Sequence, residues 1–392
     1  MLHYLNDDII CKTKYVEDQM KILKLEEVID ILYGCAVLGT GGGGGLQEGI
    51  EMMEEDYNAG RYVKLIDVSE IADDDLIATP YGCGAPEAND EIGSCPKEYE
   101  HLPRLKTSPT ILAFEALEAF MQKKFSAVSS TELGALNTAE ALHIACLLDI
   151  PLVDGDPAGR SVPELQHSTY YINNVPITPM GIASQFGDVT IISKVFDDLR
   201  AETLVRSLAV VSNDLVGVVD HPTTGKVYRE SVIVGAISYA QNIGQLLRQT
   251  KKIGGDIAYE IAKENSGAIT FKGVVTAAPW KTRDGFNFGD IHIDGIEDFE
   301  NQKYHIWYKN ENLLAYRNGQ VDVTCPDLIC VFDEYGNPMT NPDVKVGMNV
   351  TVIVLPAPNI WKSEKGLACF GPKSFGFDID YIPFNACNAQ EV

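Results

Sequence analysis

The chain has 392 residues and a formal net charge of −25, and this length favours two or three domains with a sizeable buried core. Nucleic acids and anionic membrane surfaces are bound mainly through lysine and arginine, so a strongly acidic chain is expected to bind neither. Hydrophobic residues make up 45% of the sequence, which is typical of a globular protein.

The first 160 residues alternate between predicted helices and strands. Apolar residues with helical spacing begin at Leu25, and a second helix is predicted over residues 46–60, so the glycines between them join two helices. The following segments are, in order, the strands YVKLIDV (62–68) and DLIATPYG (75–82), the helix PTILAFEALEAFMQKK, the strand FSAVSST, the helix LNTAEALHIACLLDI and the strand PLVDGD. This alternation predicts βαβ units and an α/β domain with a mainly parallel sheet. We assign residues 1–170 to this domain and residues 171–267 to its α/β continuation.

The sequence pattern changes at Ala268. Beyond this residue apolar and polar residues alternate with a period of two, and turn sequences such as RDG, RNG and EYGNP recur roughly every 10 residues. The pattern predicts an all-β module, a barrel or a sandwich, over residues 268–355. Residues 356–392 are rich in glycine and aromatic residues, and we expect this tail to pack on the body of the protein.

Five consecutive glycines, Gly41–Gly45, follow Gly39 near the start of the chain. A phosphate P-loop requires Lys and Ser or Thr directly after its last glycine, whereas Leu46 and Gln47 follow this one. Gly39, Gly41 and Gly44 match the dinucleotide fingerprint, but that fingerprint must follow a strand and this run follows a helical pattern, so we expect no NAD. Two interpretations are left: a flexible connector, or a substrate site lined by the main-chain amides of Gly41, Gly42, Gly43, Gly44 and Gly45.

Polar residues follow three of the predicted strands. Cys83 ends the first strand, Glu132 and Asn137 follow the second, and Asp154, Asp156, Arg160 and Glu164 follow the third. The carboxyl ends of parallel strands meet at one edge of a sheet, so these residues are expected to converge on one crevice. Four of these residues also have a purely structural interpretation. Cys83 would be a buried filler, Glu132 an acid in the first turn of a helix, and Asp154 and Asp156 turn caps.

No H-E-x-x-H or paired-cysteine motif is present, so a divalent metal such as zinc would need scattered ligands. Asp154, Asp156 and His221 are the candidates, His221 because it ends a strand at the turn of VVDHPTTG. The sequence also has no G-x-S-x-G motif, which argues against the α/β-hydrolase arrangement.

Nine cysteines occur without a C-x-x-C pair, which is typical of reduced thiols in a cytoplasmic protein. The N-terminus shows no signal-peptide pattern, and no apolar stretch approaches the ~20 residues of a membrane helix. We therefore expect a cytoplasmic protein that acts on or binds a small molecule.

Six segments resemble, in this order, the S-methyl thiohydantoin desulfurase family: AVLGTGGGGG, PYGCGAPEA, SSTELGALNTAEAL, PLVDGDPAGRSVPELQ, PDLICVFD and GPKSFGFD. The glycine run and the D-G-D…G-R…P-E-L stretch are the most specific of them. The resemblance implies an α/β N-terminal part, a β-rich C-terminal pseudobarrel, and removal of sulfur from a thiohydantoin-type ring to leave a hydantoin. Family members often carry Met or another residue where this chain has Cys83, so a pocket-lining role is expected for that residue.

Such chemistry needs a base that activates water, an acid for the leaving sulfur and donors for the ring heteroatoms. On this resemblance we assign Asp154 and Asp156 to proton transfer or metal ligation, and Glu132 to a second acid or base. Arg160 is expected to orient a carbonyl or anionic group, and Gly41–Gly45 to supply backbone donors. The other residues at the strand ends are predicted to line the substrate site: Cys83, Asn137 and Glu164. A non-catalytic protein that binds a cyclic amide or nucleotide in the same crevice is the alternative, and a homo-oligomer is left open.

Overall fold

A computed structural model describes residues 20–84, 99, 101–213 and 215–384 of the protein. Residues 1–15, where no signal peptide is expected, and the end of the tail, 385–392, lie outside this part of the chain. The described residues form ten α-helices: α1 Leu25–Leu38, α2 Leu46–Asn58, α3 Pro109–Met121, α4 Ala135–Leu148, α5 Thr169–Ile172, α6 Asp198–Val211, α7 Gly225–Ser231, α8 Ala236–Ile253, α9 Ile257–Glu264 and α10 Glu364–Phe370.

The same residues form eighteen β-strands. Those before residue 268 are β1 Lys21–Ile22, β2 Lys64–Ile66, β3 Leu76–Gly84, β4 Ala127–Val128, β5 Leu152–Val153, β6 Gly155–Asp156, β7 Met180–Ser184, β8 Val189–Ile192, β9 Leu215–Thr224 and β10 Ile233–Val234. The later ones are β11 Ala268–Ala277, β12 Trp280–Arg283, β13 Phe286–Gly295, β14 Lys303–Lys309, β15 Glu311–Arg317, β16 Gln320–Thr324, β17 Leu328–Asp333 and β18 Asn349–Leu355.

The N-terminal domain is built around a mixed eight-stranded sheet with the order β1-β2-β5-β4-β3-β9-β7-β8. Strands β2, β5, β4 and β3 are parallel, and α3 and α4 provide crossovers between them, as parallel pairing requires. Strands β1, β9, β7 and β8 add antiparallel pairs at the two sides. The predicted α/β class is confirmed. Parallel pairing is limited to the central strands because β9, which follows α6, enters the sheet beside β3 in the opposite direction.

The C-terminal domain is an antiparallel sheet with the order β16-β15-β14-β13-β11-β18-β17, and β12 pairs with β13. Strand β11 begins at Ala268, where the period-two pattern begins, so the predicted β-rich second domain is confirmed. The sheet curls until β15 and β17 approach each other: Asn312 Nδ2 donates to Ile329 O over 3.0 Å. The result is a half-barrel, in agreement with the expected pseudobarrel.

One hydrophobic core joins the two domains. Its buried members include Leu32 on α1 and Ile243 on α8, together with Leu313 on β15 and Ile353 on β18. A second core fills the half-barrel around Phe271. Because the first core takes side chains from both domains, the crevice between them has walls that are packed together. No helix in the described ranges combines the length and the apolarity needed to cross a membrane.

The segment after β18 contacts both domains. Trp361 is fully buried, and its indole N–H donates to Ala158 O over 2.7 Å. Phe370 on α10 packs against the Trp361 ring. Tyr381 Oη donates to Asp327 Oδ2 over 2.9 Å.

Candidate functional site

A cavity of about 1070 Å³ lies between the two domains, a volume at the upper limit for small-molecule sites. Its walls include the glycine run, the end of β3, the start of α4, the loop after β6 and the β14–β15 turn. Nine of the residues predicted from the sequence line it: Gly41, Gly42, Gly43, Gly44, Gly45, Cys83, Glu132, Asn137 and Glu164. The structure therefore brings the glycines and residues from three strand ends to one crevice.

The glycine run connects α1 to α2, as predicted, and its backbone is one that other residues rarely adopt. The φ angle is +49° at Thr40, +93° at Gly41 and +79° at Gly43 and Gly44. A β-carbon on Gly43 would lie 2.3 Å from the Cα of Gly134. Glycine is therefore needed both for the left-handed conformation and for the close approach to the start of α4.

Neighbouring segments hold the carbonyl groups of the run and leave N–H groups free. Gly41 O accepts from Asn341 N and Gly43 O accepts from Leu136 N, each over 2.9 Å. No acceptor among the described residues takes the N–H groups of Gly43–Gly45. These groups lie directly before α2, whose first turn adds further free donors. The run can therefore donate hydrogen bonds to a carbonyl or anionic oxygen of a ligand.

Four buried glutamates line the cavity: Glu132, Glu140 and Glu202 from the N-terminal domain and Glu311 from the C-terminal domain. Glu140 accepts from Ser108 Oγ and Glu202 is paired with Arg206. Glu132 Oε1 accepts from Asn137 Nδ2 and Glu132 Oε2 from Val162 N, both over 2.8 Å. Burial raises the pKa of Glu132, and these two hydrogen bonds oppose the increase. Glu311 is 2% exposed, and its Oε2 has no hydrogen-bond partner in the described structure. Burial, followed by the charge of Glu132, raises the pKa of Glu311 well above its usual range.

Glu311 is a site residue that the sequence reasoning missed. It lies at the β14–β15 turn of the C-terminal domain, far along the chain from the strand ends that were expected to form the site. A β-carbon on Gly42 would lie 1.9 Å from Glu311 Oε1, so the glycine run packs directly on this carboxyl group. The available signal was an acid opening the apolar strand ENLLAYR, because acids are depleted in strands.

Cys83 lies at the cavity wall with a protonated sulfur. It is 6% exposed, and burial raises the pKa of its thiol to about 12. The thiolate is the nucleophilic form of cysteine, so this environment suits a pocket-lining residue better than a nucleophile. The rest of the PYGCGAPEA segment, residues 85–88, is outside the described part of the chain.

Glu164 and His167 form a further polar part of the wall. Lys309 Nζ lies 2.6 Å from Glu164 Oε2, and His167 Nε2 lies 3.9 Å from the same oxygen. His167 is buried against the rings of Phe370 and Phe375. Burial lowers the pKa of His167 to about 3, so its imidazole is neutral at neutral pH.

Asp154 and Asp156 do not line the cavity. Asp154 accepts from the N–H and the hydroxyl of Ser238, in the first turn of α8. Asp156 accepts from Gly159 N over 2.8 Å, and burial raises its pKa to about 8. These are the bonds of helix and turn caps. The chain leaves the sheet after β5 to form the β6–β10 pair, and neither aspartate is part of the cavity wall that the glycine run forms. Their assignment to proton transfer stays a prediction without support from the cavity.

Arg160 and His221 also lie outside the cavity wall. Arg160 is fully buried between the domains. His221 Nδ1 lies 2.8 Å from Asp220 Oδ1, and its Nε2 lies 3.8 Å from Asp198 Oδ2. Burial lowers the pKa of His221, but the two aspartates outweigh that effect and raise it to about 9. Nowhere in the described ranges are three or more His, Cys, Asp or Glu side chains placed to hold a metal ion. The divalent metal stays a prediction.

Comparison with known proteins identifies the family. One family model, described as S-Me-THD-like, N-terminal domain, matches residues 26–194, and a second, S-Me-THD-like, C-terminal domain, matches residues 196–384. A crystal structure of a protein from Chromobacterium violaceum superposes with a TM-score of 0.73 at 22% sequence identity, covering 93% of this chain and 100% of that chain. At that identity the likeness shows the fold alone. A search of curated proteins finds no significant match. With the two models together spanning most of its length, the chain belongs to the S-Me-THD-like family.

Proposed function

We propose that the interdomain cavity is the catalytic site of a hydrolase-type enzyme that removes sulfur from a thiohydantoin-type ring. The observation that carries this proposal is the pair of buried carboxyl groups, Glu132 and Glu311, beside the free N–H groups of Gly43–Gly45. Family membership supports the class of ring.

The reaction is addition of water to C2 of an S-methyl thiohydantoin. The water oxygen forms a bond to C2 while a base takes one water proton, and the C2=N π pair moves to the ring nitrogen, which takes a proton. The C2–S bond then breaks as the remaining hydroxyl proton is lost and the carbonyl forms. The sulfur leaves with the bonding pair and takes a proton, so the products are a hydantoin and methanethiol. The step needs one group that accepts a proton and one that donates it.

The two carboxyl groups suit these two roles because their surroundings differ. Hydrogen bonds from Asn137 and Val162 stabilise the carboxylate form of Glu132, so we assign Glu132 as the base. Glu311 has an oxygen without a partner and a strongly raised pKa, so we assign it as the acid that protonates the sulfur. Neighbouring carboxyl groups whose pKa values are pushed apart provide an acid and a base at the same pH.

The glycine run supplies the ring-binding donors in this proposal. The N–H groups of Gly43–Gly45 are close to α2, where the helix dipole favours negative charge. They would donate to a ring carbonyl oxygen and stabilise negative charge that develops on it during attack. Backbone donors of this kind are fixed before the substrate arrives, because α4 and Asn341 hold the carbonyl groups of the run.

The proposal is tested by incubating the purified protein with S-methyl thiohydantoins and measuring the released thiol. Glu311→Gln is expected to lower the rate about 10²–10⁴-fold, the usual contribution of a general acid. Glu300→Gln, at an exposed position of the same domain, is the matched control and should leave the rate unchanged. A wild-type protein that binds the ring and releases no thiol would favour the non-catalytic alternative.

Asp154→Asn separates the two assignments of catalytic residues in the same assay. Because Asp154 caps α8 outside the cavity, we expect this variant to retain most of the activity of the wild type. Loss of activity in Asp154→Asn, together with normal activity in Glu311→Gln, would support the assignment of the catalytic role to Asp154 and Asp156 instead.

A further inference from the structure

A fully buried arginine joins three segments around the carboxyl pair. Arg160 Nη2 donates to Thr40 Oγ1 over 2.8 Å and to Asn312 O over 3.3 Å. Its Nη1 donates to Pro326 O over 2.8 Å, and its Nε donates to Ser161 O over 3.0 Å. The side chain is 0% exposed, so it cannot contact a ligand in the cavity as it stands.

Two of these contacts position the candidate site. Thr40 comes directly before the glycine run and has the left-handed φ of +49°. Asn312 comes directly after Glu311, and its N–H donates to Thr40 O over 2.8 Å. Arg160 therefore holds together the residue that starts the glycine run and the residue that follows Glu311.

The charge of Arg160 has no direct counter-ion. All its hydrogen-bond partners are carbonyl or hydroxyl oxygens, and it forms no ion pair with a described Asp or Glu. A buried charge is costly unless another charge compensates it. Glu311, Asp327 and Glu132 are carboxyl groups whose charge interacts with that of Arg160. Asp327 already accepts from Ala357 N over 2.8 Å and from Phe384 N over 2.9 Å, whereas Glu311 Oε2 has no partner.

We propose that Arg160 is a positioning residue of this site, which fixes the glycine run against Glu311 and brings its positive charge to the residue next to Glu311. Arg160 touches no substrate in this arrangement and acts only through Thr40, Asn312 and its electric field. Its effect on turnover rests on the proposed function, whereas its effect on the carboxyl pair does not.

Other titratable groups interact with the pair or with Arg160 and must be considered in any titration: Lys309, Asp156, Cys35 and Cys83 with the pair, and Asp327, Cys325 and Cys330 with Arg160. Burial raises the pKa of the Cys35, Cys325 and Cys330 thiols to about 12, so all three stay neutral at neutral pH. Lys309 acts on Glu311 but is already paired with Glu164. Arg160 is a cation whose charge acts on both Glu132 and Glu311.

The test measures the carboxylic acid band of the Glu132–Glu311 pair by infrared spectroscopy as a function of pH. The difference spectrum between wild type and Glu311→Gln assigns the band. In Arg160→Gln the pH at which this band disappears should rise by about one unit or more, since loss of a nearby cation disfavours the carboxylate. An unchanged midpoint in folded Arg160→Gln would overturn the proposal.

Arg160→Lys keeps the charge and loses the planar fork of guanidinium donors. This variant therefore tests the proposal even if Arg160→Gln does not fold. We expect an unshifted band and at least tenfold faster hydrogen exchange at the N–H of Asn312. The proposal is overturned if the N–H of Asn312 exchanges at the wild-type rate. It is also overturned if the midpoint pH of the band rises in Arg160→Lys, as expected for loss of the charge. Arg317→Lys is the matched control, because Arg317 bonds Thr270 O and Asp322, which lie in the same domain as Glu311, and does not line the cavity.

Thiol release by the same variants keeps the two proposals separate. Arg160→Lys should lower kcat more than it raises KM, because the residue positions groups that act in the reaction. If wild type releases no thiol, the proposed function fails, and the band and the exchange rates still decide the role of Arg160.

Discussion

Gly43 and Gly60 have nearly the same left-handed backbone, with φ of +79° and +78°, but different surroundings. A β-carbon on Gly43 would lie 2.3 Å from the Cα of Gly134, whereas one on Gly60 would meet nothing within 4 Å. Gly60→Ala is therefore expected to lower the free energy of unfolding only by the cost of the left-handed backbone conformation, roughly 1–2 kcal/mol. Gly43→Ala adds about 1–3 kcal/mol of overpacking. We expect urea denaturation to show the larger loss of unfolding free energy for Gly43→Ala, and equal losses would mean that the run does not pack on α4.

Two buried histidines are expected to affect stability at opposite ends of the pH range. Burial lowers the pKa of His167 to about 3, so the unfolded chain binds the proton more readily, and stability is lost as the pH falls below about 6.5. The pKa of His221 is raised to about 9 by its aspartates against the effect of burial. Its contribution is therefore present below about pH 6.5 and is lost as the pH rises through 9.

The measurement is the free energy of unfolding as a function of pH in two variants. His167→Phe should flatten the acid side of the curve, and His221→Asn should flatten the alkaline side. Asn is chosen at position 221 because it tolerates the φ of +42° found there. The same change of slope in both variants would contradict these assignments.

The candidate site could be predicted from the sequence only in part. Glu132, Asn137 and the glycines were identifiable because each lies next to a strand end or a helix start, and such positions are local features of the chain. Glu311 was not identifiable, because its approach to Gly42 depends on how the second domain docks on the first. Arg160 was expected to orient a carbonyl or anionic group of the substrate, from its place after a strand end and from the family resemblance; the docked domain buries it instead.

At the scale of elements, the β12–β13 hairpin contacts Arg206 of the N-terminal domain through the ring of Phe286 and the carbonyl group of Gly285. Phe286 lies 4.2 Å from the Arg206 guanidinium and 4.1 Å from Lys309 Nζ, measured to the ring centroid. Arg206 also donates to Gly84 O and to Gly285 O. In the described structure β12 pairs with β13 alone, so these contacts are expected to hold the hairpin in place.

Arg206→Lys keeps the charge but loses the planar fork of donors. We expect hydrogen exchange in β12 and β13 to become about tenfold faster in this variant, while the rest of the C-terminal sheet stays protected. Arg283→Lys on the same hairpin is the control, because Arg283 is exposed and contacts Phe288 and Asp284. Faster exchange throughout the protein would show that Arg206 supports the whole fold rather than the hairpin.

The elements with regular apolar spacing were predictable because that spacing is a property of each segment alone. Helices α1–α4 and the β-rich texture from Ala268 onward are of this kind. The direction of β9 was not predictable, since it depends on the path that the chain takes after α6. The strand expected over PLVDGD divides into β5 and β6, which pair with different partners, and apolar spacing over so few residues does not contain that information.

At the scale of the whole molecule, the two domains share one buried core. Leu32 on α1 and Ile353 on β18 belong to the same cluster, and Arg160 bonds residues of both domains. We expect a single calorimetric transition in which the calorimetric and van't Hoff enthalpies agree. Two separate transitions would show that the domains fold independently and that the crevice between them has no fixed geometry.

The central claim is that a ring-shaped ligand binds between the glycine run and Glu311. The most direct measurement is a crystal structure of the Glu311→Gln variant, which should bind the ring without turning it over, grown with an S-methyl thiohydantoin. We predict density for the ring within hydrogen-bond distance of the N–H groups of Gly43–Gly45 and of the side chain at position 311. A ring bound beside Asp154 and Asp156, with the glycine run unoccupied, would contradict it.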